Sequence, residues 1–223
     1  MKPVQVDTFT IPSESKKWLV AVSITLTLTV LCAGYTAFIG IDLLSLQAVS
    51  FVSAAVASFL FALALVASSV SYYTDWPNMR WGYQKQIGVL AFWIAVAYCV
   101  TLILLFPEQY SYGLSNNQFT FDVLLGGTAM IIFASMVGIN SKLVAPHFSW
   151  DTIKFVLGLG YIGYALLVIR AVLLEWDLWE VWLVTFDGYP PGRLVLSVVA
   201  LTVLLLRISI PVHIALKKSF KIR

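Results

Sequence analysis

An all-α fold, a bundle of six transmembrane helices in a polytopic membrane protein, is what this sequence predicts, and three observations carry it. Six apolar runs each have about the 20 residues that a helix needs to cross a bilayer. The 223 residues are 60% hydrophobic and only 11% charged, far too apolar to surround a soluble core of that length. The third observation is the placement of the basic residues. All fourteen Lys and Arg except Arg170, Arg193 and Arg207 fall beside the span ends on the side of the N-terminus: Lys2, Lys16, Lys17, Arg80, Lys85, Lys142, Lys154, Lys217, Lys218, Lys221 and Arg223. The opposite side carries Arg193 against Asp42, Glu108, Asp122, Glu175, Asp177, Glu180 and Asp187. The positive-inside rule then puts both termini in the cytoplasm, and the expected location is the cell inner (plasma) membrane.

The expected organisation is a cytoplasmic segment over residues 1–17, a transmembrane domain over 18–216 and a basic cytoplasmic tail over 217–223. The spans are read as Trp18–Ile41, Gln47–Tyr72, Ile87–Phe106, Phe121–Val144, Ile153–Leu174 and Leu194–Leu216. Lys16 and Lys17 stand directly before the first run, as in a signal peptide, but that run is too long for one. Leu31 precedes Cys32 where lipidation needs a small residue. Cys32 and Cys99 both fall inside spans and read as small apolar residues, not a disulfide.

Ser53, Ala54, Ala55, Ala57 and Ser58 in the second span, and Gly158, Gly160 and Gly163 in the fifth, mark seams where helix backbones approach closely. The alternative is a gap that admits a flat cofactor. Asp187-Gly188-Tyr189-Pro190-Pro191-Gly192 breaks the chain before the last span and reads as a loop. Trp76, Trp81, Trp150, Trp176, Trp179 and Trp182 sit at span ends, where indoles settle at the headgroup level. The run Glu175-Trp176-Asp177-Leu178-Trp179-Glu180-Val181-Trp182 reads as an interfacial helix in an outward connection, or as a docking surface for a basic partner.

No polar stretch is long enough to fold into a flavin, nucleotide or sensor domain. The net charge of +3 is spread along span ends, which favours membrane lipids as partners and excludes nucleic acid. His147 and His213, both at the cytoplasmic edge, are the only histidines. They are candidate cofactor ligands if they share one interfacial site, and ordinary interfacial residues otherwise. No HExxH, CxxC, GxSxG or glycine-rich phosphate loop is present.

Two arginines lie within apolar spans, where an ionised group needs compensation. Arg170, near the outer boundary, is expected to pair locally with Glu175 or to snorkel. Arg207 lies deeper. It is expected to bond groups on a facing helix, to reach the inner headgroups, or to bind the acid group of a lipid or cofactor.

The segment Arg80-Trp81-Gly82-Tyr83-Gln84-Lys85-Gln86-Ile87-Gly88 and its continuation to Tyr98 resembles the third-helix signature of the ferric reductase-like transmembrane domain. That family includes the haem-binding membrane subunit of the methionine sulfoxide reductase system. Gly138-Ile139-Asn140-Ser141-Lys142-Leu143 with Ser149-Trp150 resembles its connection into the fifth helix, and Leu204-Leu205-Leu206-Arg207-Ile208 its last helix. The resemblance implies haem b held by histidines on two helices and electron transfer across the membrane. It places the third-helix ligands at Gln84 and Tyr98 and the fifth-helix ligands near Lys154 and Leu167, none of them histidine. The resulting expectation is a haem-less, non-catalytic subunit or scaffold of a membrane redox complex, bound to another membrane protein or redox subunit, with no cofactor in stoichiometric amount. The competing expectation is an electron-transfer protein that binds haem b, quinone or pigment through His147, His213, Tyr98 or Arg207. A transporter is the third class.

Overall fold

The computed structural model describes residues 13–74, 83–105, 117–141 and 143–220. Six long helices account for most of them: α1 (Glu14–Phe38), α2 (Leu46–Thr74), α3 (Gln84–Leu105), α4 (Asn117–Ile139), α5 (Trp150–Thr185) and α6 (Gly192–Phe220). No strand occurs among the described residues. Each helix contains a stretch long and apolar enough to cross a membrane, so the protein is a multi-pass membrane protein. Lys2, Arg80, Lys142, Lys221, Arg223, Trp76 and Trp81 lie outside the described residues.

Threonines cross the apolar α1 because each returns its hydroxyl to the preceding turn. Thr25, Thr29 and Thr36 donate to the carbonyls of Ala21, Thr25 and Cys32 at 2.8–2.9 Å, leaving no donor facing hydrocarbon. Gly40 stops the helix in the left-handed region (φ 82°). The Ser45 hydroxyl then accepts from the Ala48 amide at 3.1 Å and caps the start of α2.

Helix α2 is the most buried of the six and packs on α1, α3 and α6. The core runs along it through Val56, Ala57, Leu60, Phe61, Ala64 and Leu65. Ala55 and Ala57 are buried in the seam, whereas Ala54, Ala57 and Ser58 also border a cavity. On α5 only two of the three expected glycines make a seam. A Cβ on Gly160 would lie 2.6 Å from Met136 and one on Gly163 would lie 3.2 Å from Ile132, while Gly158 has nothing within 4 Å.

Two span boundaries differ from expectation by more than about one helical turn. Helix α4 ends at Ile139 rather than Val144, where the Asn140 side chain donates to the Met136 carbonyl at 2.9 Å and a 3-10 turn over Ala145–His147 follows. Helix α5 continues eleven residues beyond Leu174 to Thr185, because Glu175 to Thr185 contains neither glycine nor proline. The acidic, tryptophan-rich run is therefore the end of the fifth helix and not a separate connection. Trp150 and Trp176 are about half exposed, as a belt requires, but Trp179 is buried, its indole N–H donating to Glu175 at 3.3 Å.

Contacts at the helix ends set the orientation of the bundle. The Gln86 amide donates to Glu14 at 3.2 Å, joining the starts of α3 and α1. At the other end the Tyr35 hydroxyl donates to the Pro190 carbonyl at 3.0 Å, and the Phe38 and Tyr189 rings lie 4.9 Å apart. The expected loop before α6 is thereby clamped to the end of α1. The start of α1 and the end of α6 share one end of the bundle, called terminal here, and the loop before α6 lies at the distal end.

Candidate functional site: a cavity between five helices

The distal half of the bundle holds a partly open cavity of about 560 Å³, lined by α2, α3, α4, α5 and α6. Its walls are aliphatic and small side chains such as Ala95, Leu102, Val123, Met130, Leu167 and Ala200. Size and lining match the sites that hold organic ligands, which are mostly apolar with a few convergent polar groups. The α3 and α4 backbones approach each other over only a short stretch, which leaves room between them.

The polar groups are held by an arrangement that no single helix could make. On α5 the Arg170 guanidinium forms a fork onto Asp122 of α4, Nε to Oδ1 at 2.5 Å and Nη2 to Oδ2 at 3.2 Å, with the side chains only 16% and 13% exposed. Gly126, one turn beyond Asp122, packs against the same side chain, where a Cβ would lie in van der Waals contact 3.4 Å from Arg170 Nε. Tyr98 of α3 stands beside the same guanidinium and lines the cavity with Cys99. From α6, Arg193 also lines it and pairs with Glu175 of α5 at 3.2 Å.

The expected local partnership of Arg170 and Glu175 is thus replaced by two interhelical pairs. Helix geometry explains the exchange. Residues three or four apart face each other, whereas five residues turn the side chains about 140° apart. Glu175 points at α6 and Arg170 points at α4. Asp122 and the pairing were missed in the sequence, although Asp122 begins one antiparallel span where Arg170 nears the end of the next.

The floor of the cavity is aromatic. Phe61 and Phe133 stack at 4.0 Å, and both also line a second cavity of about 90 Å³ toward the terminal end, so this ring pair is the partition. Tyr164, 2% exposed, donates its hydroxyl to the Ser58 carbonyl at 2.9 Å and reinforces it.

The candidate residues are dispersed. Tyr98 lines the large cavity. His147 is exposed on the 3-10 turn, and His213 lies on α6 with its ring 6.0 Å from that of Tyr73. Neither borders either cavity. Arg207 lies deep along α6 but on the surface of the bundle. It is exposed, with its guanidinium 4.9 Å over the Tyr161 ring.

Of the four positions that the resemblance aligns with haem ligands, Tyr98 and Leu167 line the large cavity and Gln84 lines the small one. Lys154 is exposed and pairs with Asp151 at 3.7 Å. No imidazole reaches either cavity, so these residues do not fit the bis-histidine ligation that the resemblance implies. No group of three or more His, Cys, Asp or Glu among the described residues suits a metal ion. Neither a protein-family model nor a curated protein matches this chain.

Proposed function

We propose that this chain is a non-catalytic membrane subunit of a redox complex, with a haem-less ferric reductase-like bundle that holds a neutral, apolar molecule of the quinone class in its distal cavity. The observation that carries this reading is the fork of Arg170 on Asp122 at the edge of a 560 Å³ apolar chamber. Both arginines at the chamber are matched by a carboxylate, so the site has no surplus charge to attract an anion. The fork engages two of the five guanidinium N–H groups of Arg170 and Tyr98 bonds the same group, which leaves further donors for a carbonyl oxygen. A ring with carbonyl groups and an apolar tail answers both features. The placement of Tyr98 and Leu167, the distal ligand positions of the resemblance, supports the idea that this chamber stands where such a family holds a haem. The basic residues beside the terminal ends of the spans support an inner-membrane location with both termini in the cytoplasm.

The test is to purify the protein in mild detergent, extract it with organic solvent, and identify bound molecules and co-purifying chains by mass spectrometry. A quinone near one per chain in the wild type, depleted in a Gly127→Phe variant that fills the chamber, is the expected result. Gly127 lines the chamber and has nothing within 4 Å of its missing Cβ, so the ring has space to enter. Equal quinone content in both proteins would overturn the assignment of the chamber.

A further inference from the structure

Among the described residues Arg207, unlike the other two arginines of the spans, has no carboxylate partner. Ion pairs among the described residues engage Arg170, Arg193, Lys17 and Lys154. What Arg207 has is a platform: its guanidinium lies over the face of Tyr161 on the neighbouring α5, 4.9 Å from the ring centre. That ring is fixed. Its hydroxyl donates to the Leu65 carbonyl at 2.9 Å and lies 3.2 Å from the Ser69 hydroxyl, both on α2.

Stacking occupies the flat face of a guanidinium and leaves the N–H groups on its rim directed sideways, in the fork that suits a phosphate. Depth selects the source of that phosphate. Arg207 follows Gly192, the first residue of α6, by fifteen residues, or about 22 Å at 1.5 Å per residue. The hydrocarbon layer is about 30 Å thick, so the terminal-side headgroups are within reach of an extended arginine side chain. The residue is exposed on the outer surface of the bundle, where lipid and not solvent surrounds a membrane protein.

We infer that Arg207 and Tyr161 form a binding site for the phosphate of an anionic membrane lipid in the leaflet at the terminal end. The lipid chains would lie along α5 and α6, whose exposed faces there include Phe155, Ile162, Leu205 and Ile208. This site is separate from the distal chamber and independent of what that chamber holds.

Delipidated protein in a neutral detergent is titrated with short-chain phosphatidylglycerol, with phosphatidylcholine and with inorganic phosphate. Binding is read by native mass spectrometry and by the shift in unfolding temperature. Phosphatidylglycerol should bind and stabilise the wild type, and Arg207→Met should weaken that binding roughly tenfold or more, because a charge-assisted contact is lost. Tyr161→Phe keeps the ring and should bind nearly as the wild type does. Arg207→Met remaining folded in detergent with unchanged phosphatidylglycerol affinity would overturn the site. Equal stabilisation by inorganic phosphate would overturn the lipid as its ligand, and equal binding of phosphatidylcholine would overturn the preference for an anionic lipid.

Discussion

Arg170 and Asp122 show how an ionised pair is carried in an apolar bundle: the fork satisfies both carboxylate oxygens, and the two side chains are largely withdrawn from the surface. Breaking such a pair leaves one buried charge uncompensated, which costs about 3–5 kcal/mol, whereas replacing both partners by apolar residues is often neutral. Asp122→Leu should therefore lower the unfolding free energy in detergent by about that amount, and Asp122→Leu with Arg170→Leu should recover most of it. A double variant as unstable as the single one would show that the chamber, not the charge balance, depends on the pair. Tyr98 and Leu167 offer a second experiment, since both line the same chamber. Tyr98→His with Leu167→His supplies two imidazoles where the resemblance expects them and should give a reduced-minus-oxidised haem b band that the wild type lacks. A wild-type pyridine haemochrome reading near one haem per chain would contradict the haem-less assignment.

At the scale of elements, the seam between α4 and α5 depends on where the α5 glycines fall around the helix. Gly163 faces Ile132 and Phe133, with a Cβ 3.2–3.3 Å from both side chains, while Gly158 opens onto free space. Gly163→Val should destabilise by about 1–3 kcal/mol through overpacking. Gly158→Ala should instead be neutral or stabilising by up to about 1 kcal/mol, because it only raises helix propensity. Chemical denaturation monitored by circular dichroism distinguishes the two, and equal losses would contradict the seam. The same spacing logic governs α5 as a whole. At 36 residues it is about 54 Å long, so its last turns lie beyond any single bilayer crossing and carry Glu175 to its partner on α6.

For the whole molecule, an even number of spans brings the start of α1 and the end of α6 to one end, in keeping with the contacts of Glu14 with Gln86 and of Tyr35 with Pro190. Reporter fusions at the C-terminus and within the loop at 187–191 should report opposite compartments, with the C-terminal reporter cytoplasmic. Both on one side would refute the six-span topology, and an exchanged pair would refute the orientation.

The existence of six helices and most of their seams were legible in the residues because hydrocarbon imposes its length and polarity on every span separately. Two of the three α5 glycines and the Pro-Gly loop before α6 stand where that reading put them. Partnerships between helices were not legible, because a helix's period gives the angle between its own side chains but not which neighbour each face meets. Glu175 was read against Arg170 by nearness in sequence, yet packing turned one toward Arg193 and the other toward Asp122. Arg207 was read with three partners left open, and only packing put the Tyr161 ring of α5 beneath its guanidinium. The chamber itself belongs wholly to the tertiary structure, since its walls come from five helices that meet only when packed. Composition and periodicity determine that a chain crosses the membrane and how often, because each crossing is a local balance between side chains and hydrocarbon. Rotation and contact between helices decide what the bundle encloses.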